Sequence, residues 1–255
     1  MLVLVKRVED GKITFQQTSK IGIVTMNRPG SRNALTASMW KELTVIFNKV
    51  KESSKIKVLV LRGTANQFTA GSDIKEFSQM SLTEAQNAFL NMEEAISTLE
   101  SLPIPVLAAI DGPAMGAGFI LSLACDLRIG TYNAKMGIPV GRLGITVGPS
   151  FMRRIVRLIG PSRGKELVFT GKIFTAGESY QLGLLNELVD PSELDQVVIK
   201  KAGVIMNQSK ASLLAVKEAV DLCEWREDIP WHFVDPIDFP EGTRAFAEKR
   251  KPLFQ

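Results

Sequence analysis

The stretch from Val106 to Asp126, VLAAIDGPAMGAGFILSLACD, constrains this chain more than any other. An aliphatic, β-branched segment runs through a turn of Asp111, Gly112 and Pro113 into the glycine-punctuated start of an apolar helix. A strand, a tight turn and a helix N-terminus in that order leave backbone N–H groups free where the helix begins, and such donors suit a developing negative charge. The stretch approaches the length of a membrane span. However, Asp111, Pro113 and the glycines at 112, 116 and 118 fall in its middle, where a lipid-facing helix tolerates them badly. The expectation is therefore a buried strand, turn and helix of a globular core, with no membrane span.

A chain of 255 residues, 45% apolar and 23% charged, can bury a large core. Its 31 basic and 27 acidic residues give a net charge of +4, too slight an excess to argue for nucleic acid but compatible with a small anionic ligand. The two cysteines, Cys125 and Cys223, lie in apolar contexts without metal-ligand spacing and read as reduced thiols of a cytoplasmic protein. The N-terminal apolar run is stopped by Lys6 and Arg7, short of a secretory signal. His232 has no second histidine to build a metal site or a triad with, so no metal is expected.

Taken in order, ITFQQ and IGIVTM predict two strands from Ile13 to Met26, followed by the turn NRPGSRN. Leu35-Thr36 opens a helix whose Trp40, Leu43, Phe47 and Val50 share one face, and the segment up to Gly63 supplies the next strand. The loop TANQFTAGSDIKEF then brings Ala70, Gly71 and Ser72 together, small residues that let something approach the backbone, and Asp73 caps a short helix at Ile74. Ser81 with Glu84 starts a long helix lined by Ala85, Phe89, Met92, Ile96 and Leu99, and Pro103 and Pro105 deliver the chain into Val106. Both glycine-bearing loops thus fall at the carboxyl end of a strand, in an α/β arrangement.

Short strands are expected at Leu127–Thr131, Lys135–Gly137 and within LLNELV. Helices are expected at Phe151–Ile159, with Arg153, Arg154 and Arg157 on its polar side, and at Arg163–Phe169. From Ser192 onward the pattern is helical. It is interrupted by the aromatic WREDIPWHFVDPIDFP and ends in the basic EGTRAFAEKRKPLFQ. The division expected is a core over 1–191 and a helical region over 192–255.

With these pieces placed, the sequence resembles the crotonase superfamily, the enoyl-CoA hydratase/isomerase family. The likeness is carried by NRPGSRNALT, FTAGSDIKEF, IDGPAMGAGFILSLACDLRI, FTGKIFTAGESYQLGLLNELV and EGTRAFAEKRKP in the family's order. The resemblance implies an α/β fold of the crotonase-like kind, a spiral of ββα units with a C-terminal helical region, assembled as a homotrimer or a dimer of trimers. It also implies an acyl-CoA ligand, with coenzyme A part of the substrate and no separate cofactor. The thioester oxygen would be held by the backbone N–H groups of Ser72 and Ala117. Arg32 and Ala34 would lie near the CoA phosphates, Ala70, Asp73 and Ile74 around the adenine, and Phe246 and Lys249 would reach CoA from the C-terminal helix.

The family's hydratases use two glutamates, and the matching positions here are Ile120 and Val140, which can neither transfer a proton nor hold a water for general base chemistry. No Asp or Glu lies between Asp111 and Asp126 or between Asp126 and Glu166, so a shifted alignment restores neither. Ordinary hydration is not expected. One reading is a reaction such as decarboxylation, which generates the enolate without a base, with Arg142, Lys75, Glu76, Tyr132 or Ser150 as helper and Arg142 positioned to meet a substrate carboxylate. A second relocates the acid-base groups, for instance to Glu76. A third is a silent acyl-CoA-binding scaffold.

Overall fold

Ile13–Thr18 (β1) and Ile21–Met26 (β2) form an antiparallel hairpin in the computed structural model, with Ser19 at φ 56° in its two-residue turn. The structure describes residues 12–222, 237–250 and 252–254, without the side chains of residues 142, 242, 244, 246 and 247. The expectations placed on the N-terminal run before Lys12, on Cys223, on His232 and on the aromatic segment up to residue 236 lie outside the described residues.

The helix Ala37–Glu52 (α1) begins where Thr36 accepts the Met39 N–H, and it buries Trp40, Leu43, Phe47 and Val50 as the spacing predicts. Each such side chain contributes about 1.5–3 kcal/mol of burial. Next come Val58–Gly63 (β3), the single turn Ile74–Phe77 (α2) and the long helix Leu82–Glu100 (α3), which is opened by a complete Ser81–Glu84 capping box. Val106–Ile110 (β4) follows. The chain then does not turn straight into a helix, as the sequence suggested: Pro113–Met115 first forms a short strand (β5), and Ala117–Leu123 (α4) starts after Gly116. Three residues are too few for an alternation pattern to register, which is why the periodicity missed β5.

Leu127–Thr131 (β6) and Lys135–Gly137 (β7) match expectation. Pro149–Thr170 (α5) is two helical stretches in continuity, broken at Gly160 (φ 76°, ψ 165°) just before Pro161, as the two expected helices require. The remaining elements are Ile173–Thr175 (β8), Ala176–Gln181 (α6), Glu187–Val189 (β9), Leu194–Met206 (α7), Lys210–Leu222 (α8) and Asp238–Ala247 (α9).

The strands form two sheets. The larger has the order β1-β2-β3-β4-β6-β9 and is parallel except for β1; the smaller is β5-β7-β8. The central strands are buried on both faces, so their apolar residues run almost without interruption. Leu59, Leu61, Val106, Ala108 and Ile110 point to the main core with α1, α3 and α5. Val58, Val60, Leu107 and Ala109 point to a second core closed by Leu194, Val198 and Ala202 of α7. Among the described residues, no helix is long and apolar enough to cross a membrane.

The spacing that predicts a polar face for Arg154 does not hold. Arg154 is not on a polar surface: it is 2% exposed and lies between α5 and α3, where its guanidinium donates to Glu93, Glu100 and Ser97. Those partners sit some sixty residues earlier, and one helix's own periodicity does not reveal them. Arg157 pairs instead with Asp221 of α8 at 3.2 Å.

Candidate functional site

The breaks after β3 and β5 bring two backbone segments face to face. The first, Thr69 to Asp73, is fastened on both sides. Thr69 exchanges hydrogen bonds with Pro113 and Met115, while Leu35 donates to the Gly71 carbonyl at 2.8 Å and accepts from Asp73 N–H at 2.9 Å. These bonds use the neighbours of Ser72 and leave its own N–H unspent. The second segment is the start of α4, where Gly116 (φ 55°, ψ −123°) turns the chain so that the Ala117 N–H also points outward from the helix. Among the described residues neither the Ser72 nor the Ala117 N–H donates to a protein acceptor.

Closeness of the two segments depends on glycine. A β-carbon on Gly71 would stand 2.5 Å from the Met115 carbonyl oxygen, and Gly71 holds φ at +90°, so any side chain there is excluded. A β-carbon on Gly118 would stand 2.4 Å from the Thr69 methyl group.

The loop carrying Ser72 rests on polar anchors. Asn33 is fully buried at a left-handed φ of 55°, and its amide donates to the carbonyls of Thr64 and Gln67 while its oxygen accepts the Arg28 N–H. Asp73 caps α2 through Lys75 N–H and Glu76 N–H and pairs with Arg28 at 2.5 Å. The Arg28 hydrogen bond, against the opposing effect of burial, holds the Asp73 carboxyl below its ordinary range. Asn33 and Arg28 carried no signal that sequence reasoning used, because their partners are backbone carbonyls and a carboxylate distant in sequence. Cys125 is buried, and desolvation pushes its thiol up to about 12, which makes it inert.

The two free N–H groups lie on the wall of a cleft. Its walls include Ala70, Ser72, Ile74, Gly116 and Ala117 on the loop side. Phe89 and Met92 come from α3, Phe151 from α5, and Val140, Leu143 and Val147 from the segment before α5. No titratable side chain is found in this wall among the described residues. Trp40, expected only as core, also reaches the site, since its indole N–H donates to Ser72 Oγ at 3.2 Å.

The structure thus brings Ser72, Ala117, Ala70 and Ile74 together. Arg32 does not line this cleft. It lies on a neighbouring open groove with Gln67, Tyr132 and Lys135. Ala34 is buried and its carbonyl accepts from Arg28. The Asp73 carboxylate is committed to its cap and ion pair, and Lys249 is exposed after α9 at φ 53°. Phe246 lies on α9 and Arg142 within the short helical turn Val140–Leu143, both with side chains outside the described ones.

Among the helper candidates, Glu76 accepts the Ala37 N–H at 2.9 Å and so secures the start of α1. Tyr132 is 61% exposed on the Arg32 groove. Neither these two nor Lys75 and Ser150 form part of the cleft wall. Val140 does, whereas Ile120 is wholly enclosed in the main core. Among the described residues no cluster of His, Cys, Asp and Glu could hold a metal.

Residues 16–255 match the family model described as Enoyl-CoA hydratase/isomerase. A short-chain-enoyl-CoA hydratase of Clostridium acetobutylicum is 32% identical over 96% of this chain and 97% of its own length. A mouse enoyl-CoA hydratase domain-containing protein 2, mitochondrial, is 32% identical over 91% of this chain and 83% of its own. The crystal structure of an enoyl-CoA hydratase from Bacillus anthracis superposes with a TM-score of 0.89 at 31% identity, covering 96% of this chain and 99% of that one. One of these relatives is named as mitochondrial, so family membership does not set the compartment.

Proposed function

Since the chain belongs to the enoyl-CoA hydratase/isomerase family, we propose that it binds an acyl-CoA thioester in this cleft and stabilises the thioester enolate between the Ser72 and Ala117 N–H groups. Enolate formation moves charge onto the thioester oxygen, and two fixed donors in an apolar cleft are worth far more there than in water. Loss of one such donor costs about 3 kcal/mol of transition-state stabilisation.

The reaction we infer is one that generates the enolate without a protein carboxylate, decarboxylation of a malonyl-type thioester. The observation that carries this reading is the cleft wall itself, which offers two unspent N–H groups and no titratable side chain among the described residues. A carboxylate carried into such a wall loses hydration, whereas the departing CO₂ is neutral, so the surroundings favour C–C cleavage over retention of the charge. As the bond breaks, its electron pair passes to the α-carbon and on to the thioester oxygen; solvent then protonates the α-carbon. By its place in the chain between the wall residues Val140 and Leu143, Arg142 is the residue we propose to pair with the substrate carboxylate on entry. A relocated Glu76 finds no support, because that carboxylate holds α1.

Helix α8 has no buried residue, and α7 and α8 leave Val204, Val216 and Val220 exposed. These faces support the homotrimer or dimer of trimers expected from the resemblance. The test of function is mass spectrometry on a panel of CoA thioesters. CO₂ loss from 2-carboxyacyl thioesters, weakened at least tenfold in Arg142→Ala, is expected; hydration of crotonyl-CoA would overturn the reading.

A further inference from the structure

Resting on that reading of the cleft, we infer that the side-chain hydroxyl of Ser72 is a third hydrogen-bond donor to the enolate oxygen, beside the two backbone N–H groups. The inference comes from how this hydroxyl is wired. A serine hydroxyl has one proton to give and two lone pairs to offer, while an indole N–H can only donate. Trp40 Nε1–H donates to Ser72 Oγ at 3.2 Å, so it takes up a lone pair and leaves the hydroxyl proton to be spent elsewhere.

That proton faces the sulfur of Met92 at 3.4 Å. A thioether is a weak acceptor, and Met92 is itself part of the cleft wall. The hydroxyl therefore stands at the lining of the cleft, with its oxygen engaged and its proton weakly held. Rotation about the Cβ–Oγ bond turns the proton from the thioether toward an oxygen accepting from the Ser72 N–H while Oγ keeps its bond from Trp40. Once that oxygen carries charge, its hydrogen bond is roughly twice as strong as a neutral one, and exchanging the thioether for it is favourable. Donation from Trp40 polarises the hydroxyl further in the same direction. Trp40 is 1% exposed and packed in the core, so the indole stays fixed while the hydroxyl turns.

A purely structural role for Ser72 Oγ would be to satisfy the buried indole N–H. The two roles separate with a chromophoric ligand, the dimethylaminocinnamoyl thioester of CoA, whose absorption moves to the red as its carbonyl is polarised. The intact wild-type protein is expected to bind it with a red shift. Ser72→Ala keeps the backbone N–H, so it is expected to retain affinity within a factor of about three and to lose a substantial part of the shift, with turnover falling roughly tenfold or more at unchanged KM. Trp40→Phe is expected to lie between the two. An unchanged shift and kcat in Ser72→Ala would overturn the inference while leaving the two-donor site in place. Loss of probe binding in that variant would overturn it as well. A wild-type protein that binds the probe without any red shift, or not at all, would overturn both.

Discussion

A β-carbon placed on Gly71 would lie 2.9 Å from the backbone nitrogen of Ala117, so the loop after β3 and the start of α4 meet with no room for a side chain between them. This seam fixes where the two unspent N–H groups stand relative to each other. It joins two stretches that are 46 positions apart in the chain, by subtraction of their numbers.

Gly71→Ala forces that seam open and places alanine at a φ of +90°. The φ strain alone costs about 1–3 kcal/mol, and the approach to the Met115 carbonyl oxygen adds to it. Turnover is expected to fall by at least about a hundredfold, because the N–H groups no longer converge on one oxygen. Steady-state kinetics alongside thermal unfolding check this; near-normal turnover in a folded variant would show that the convergence is not used.

The two positions that match the family's glutamates differ physically. Val140 borders the cleft and Ile120 is fully enclosed by apolar side chains. Val140→Glu is expected to cost about 1–2 kcal/mol, since the carboxylate can reach solvent through the cleft. Ile120→Glu is expected to cost more than about 4 kcal/mol, because it buries a carboxyl with no partner. Urea unfolding of the two variants reads the difference directly, and equal costs would mean that Ile120 has access to the cleft.

Much of this was legible in the letters, and the remainder was not for reasons of scale. The buried faces of α1 and α3 and the caps at Thr36, Asp73 and Ser81 are local signals, repeated at helical spacing or confined within four residues. The small residues at Ala70–Ser72 and Gly116–Gly118 marked both donor loops. What stayed hidden were pairings distant in sequence. They include β5 against β7, Trp40 against Ser72, Asn33 under the donor loop, and Arg154 between two helices.

Arg154 ties α5, which carries Phe151 on one cleft wall, to α3, which carries Phe89 and Met92 on another. Its side chain is 1% exposed and those of Glu93 and Glu100 are 28% and 23% exposed, so both acids keep some access to water. Arg154→Ala is expected to cost about 3 kcal/mol, the lower end of the range for breaking a buried pair. Arg154→Lys should recover only part, as it lacks the planar fork that reaches both acids. Chemical denaturation of the pair of variants checks the order, and a cost under about 1 kcal/mol for alanine would contradict it.

Asp73 gives a pH signature. Arg28 and the helix cap lower its folded carboxyl below the ordinary 3.8, so the folded state binds this proton less readily than the unfolded chain. Its contribution is complete above the unfolded value and is lost as pH falls through the lower folded one. Between about pH 5 and 3, wild-type stability is expected to fall more steeply with acid than that of Asp73→Asn. Parallel slopes would remove the ion pair from the stability of the donor loop.

The most direct measurement follows labelled malonyl-CoA and butyryl-CoA, each incubated with the protein in D₂O. Release of the labelled carboxyl as CO₂, with one deuterium delivered to the α-carbon of the acetyl product and no α-proton exchange in butyryl-CoA, is the result predicted for a site that stabilises an enolate but has no carboxylate base. Exchange of the butyryl α-proton, or intact malonyl-CoA, would contradict it.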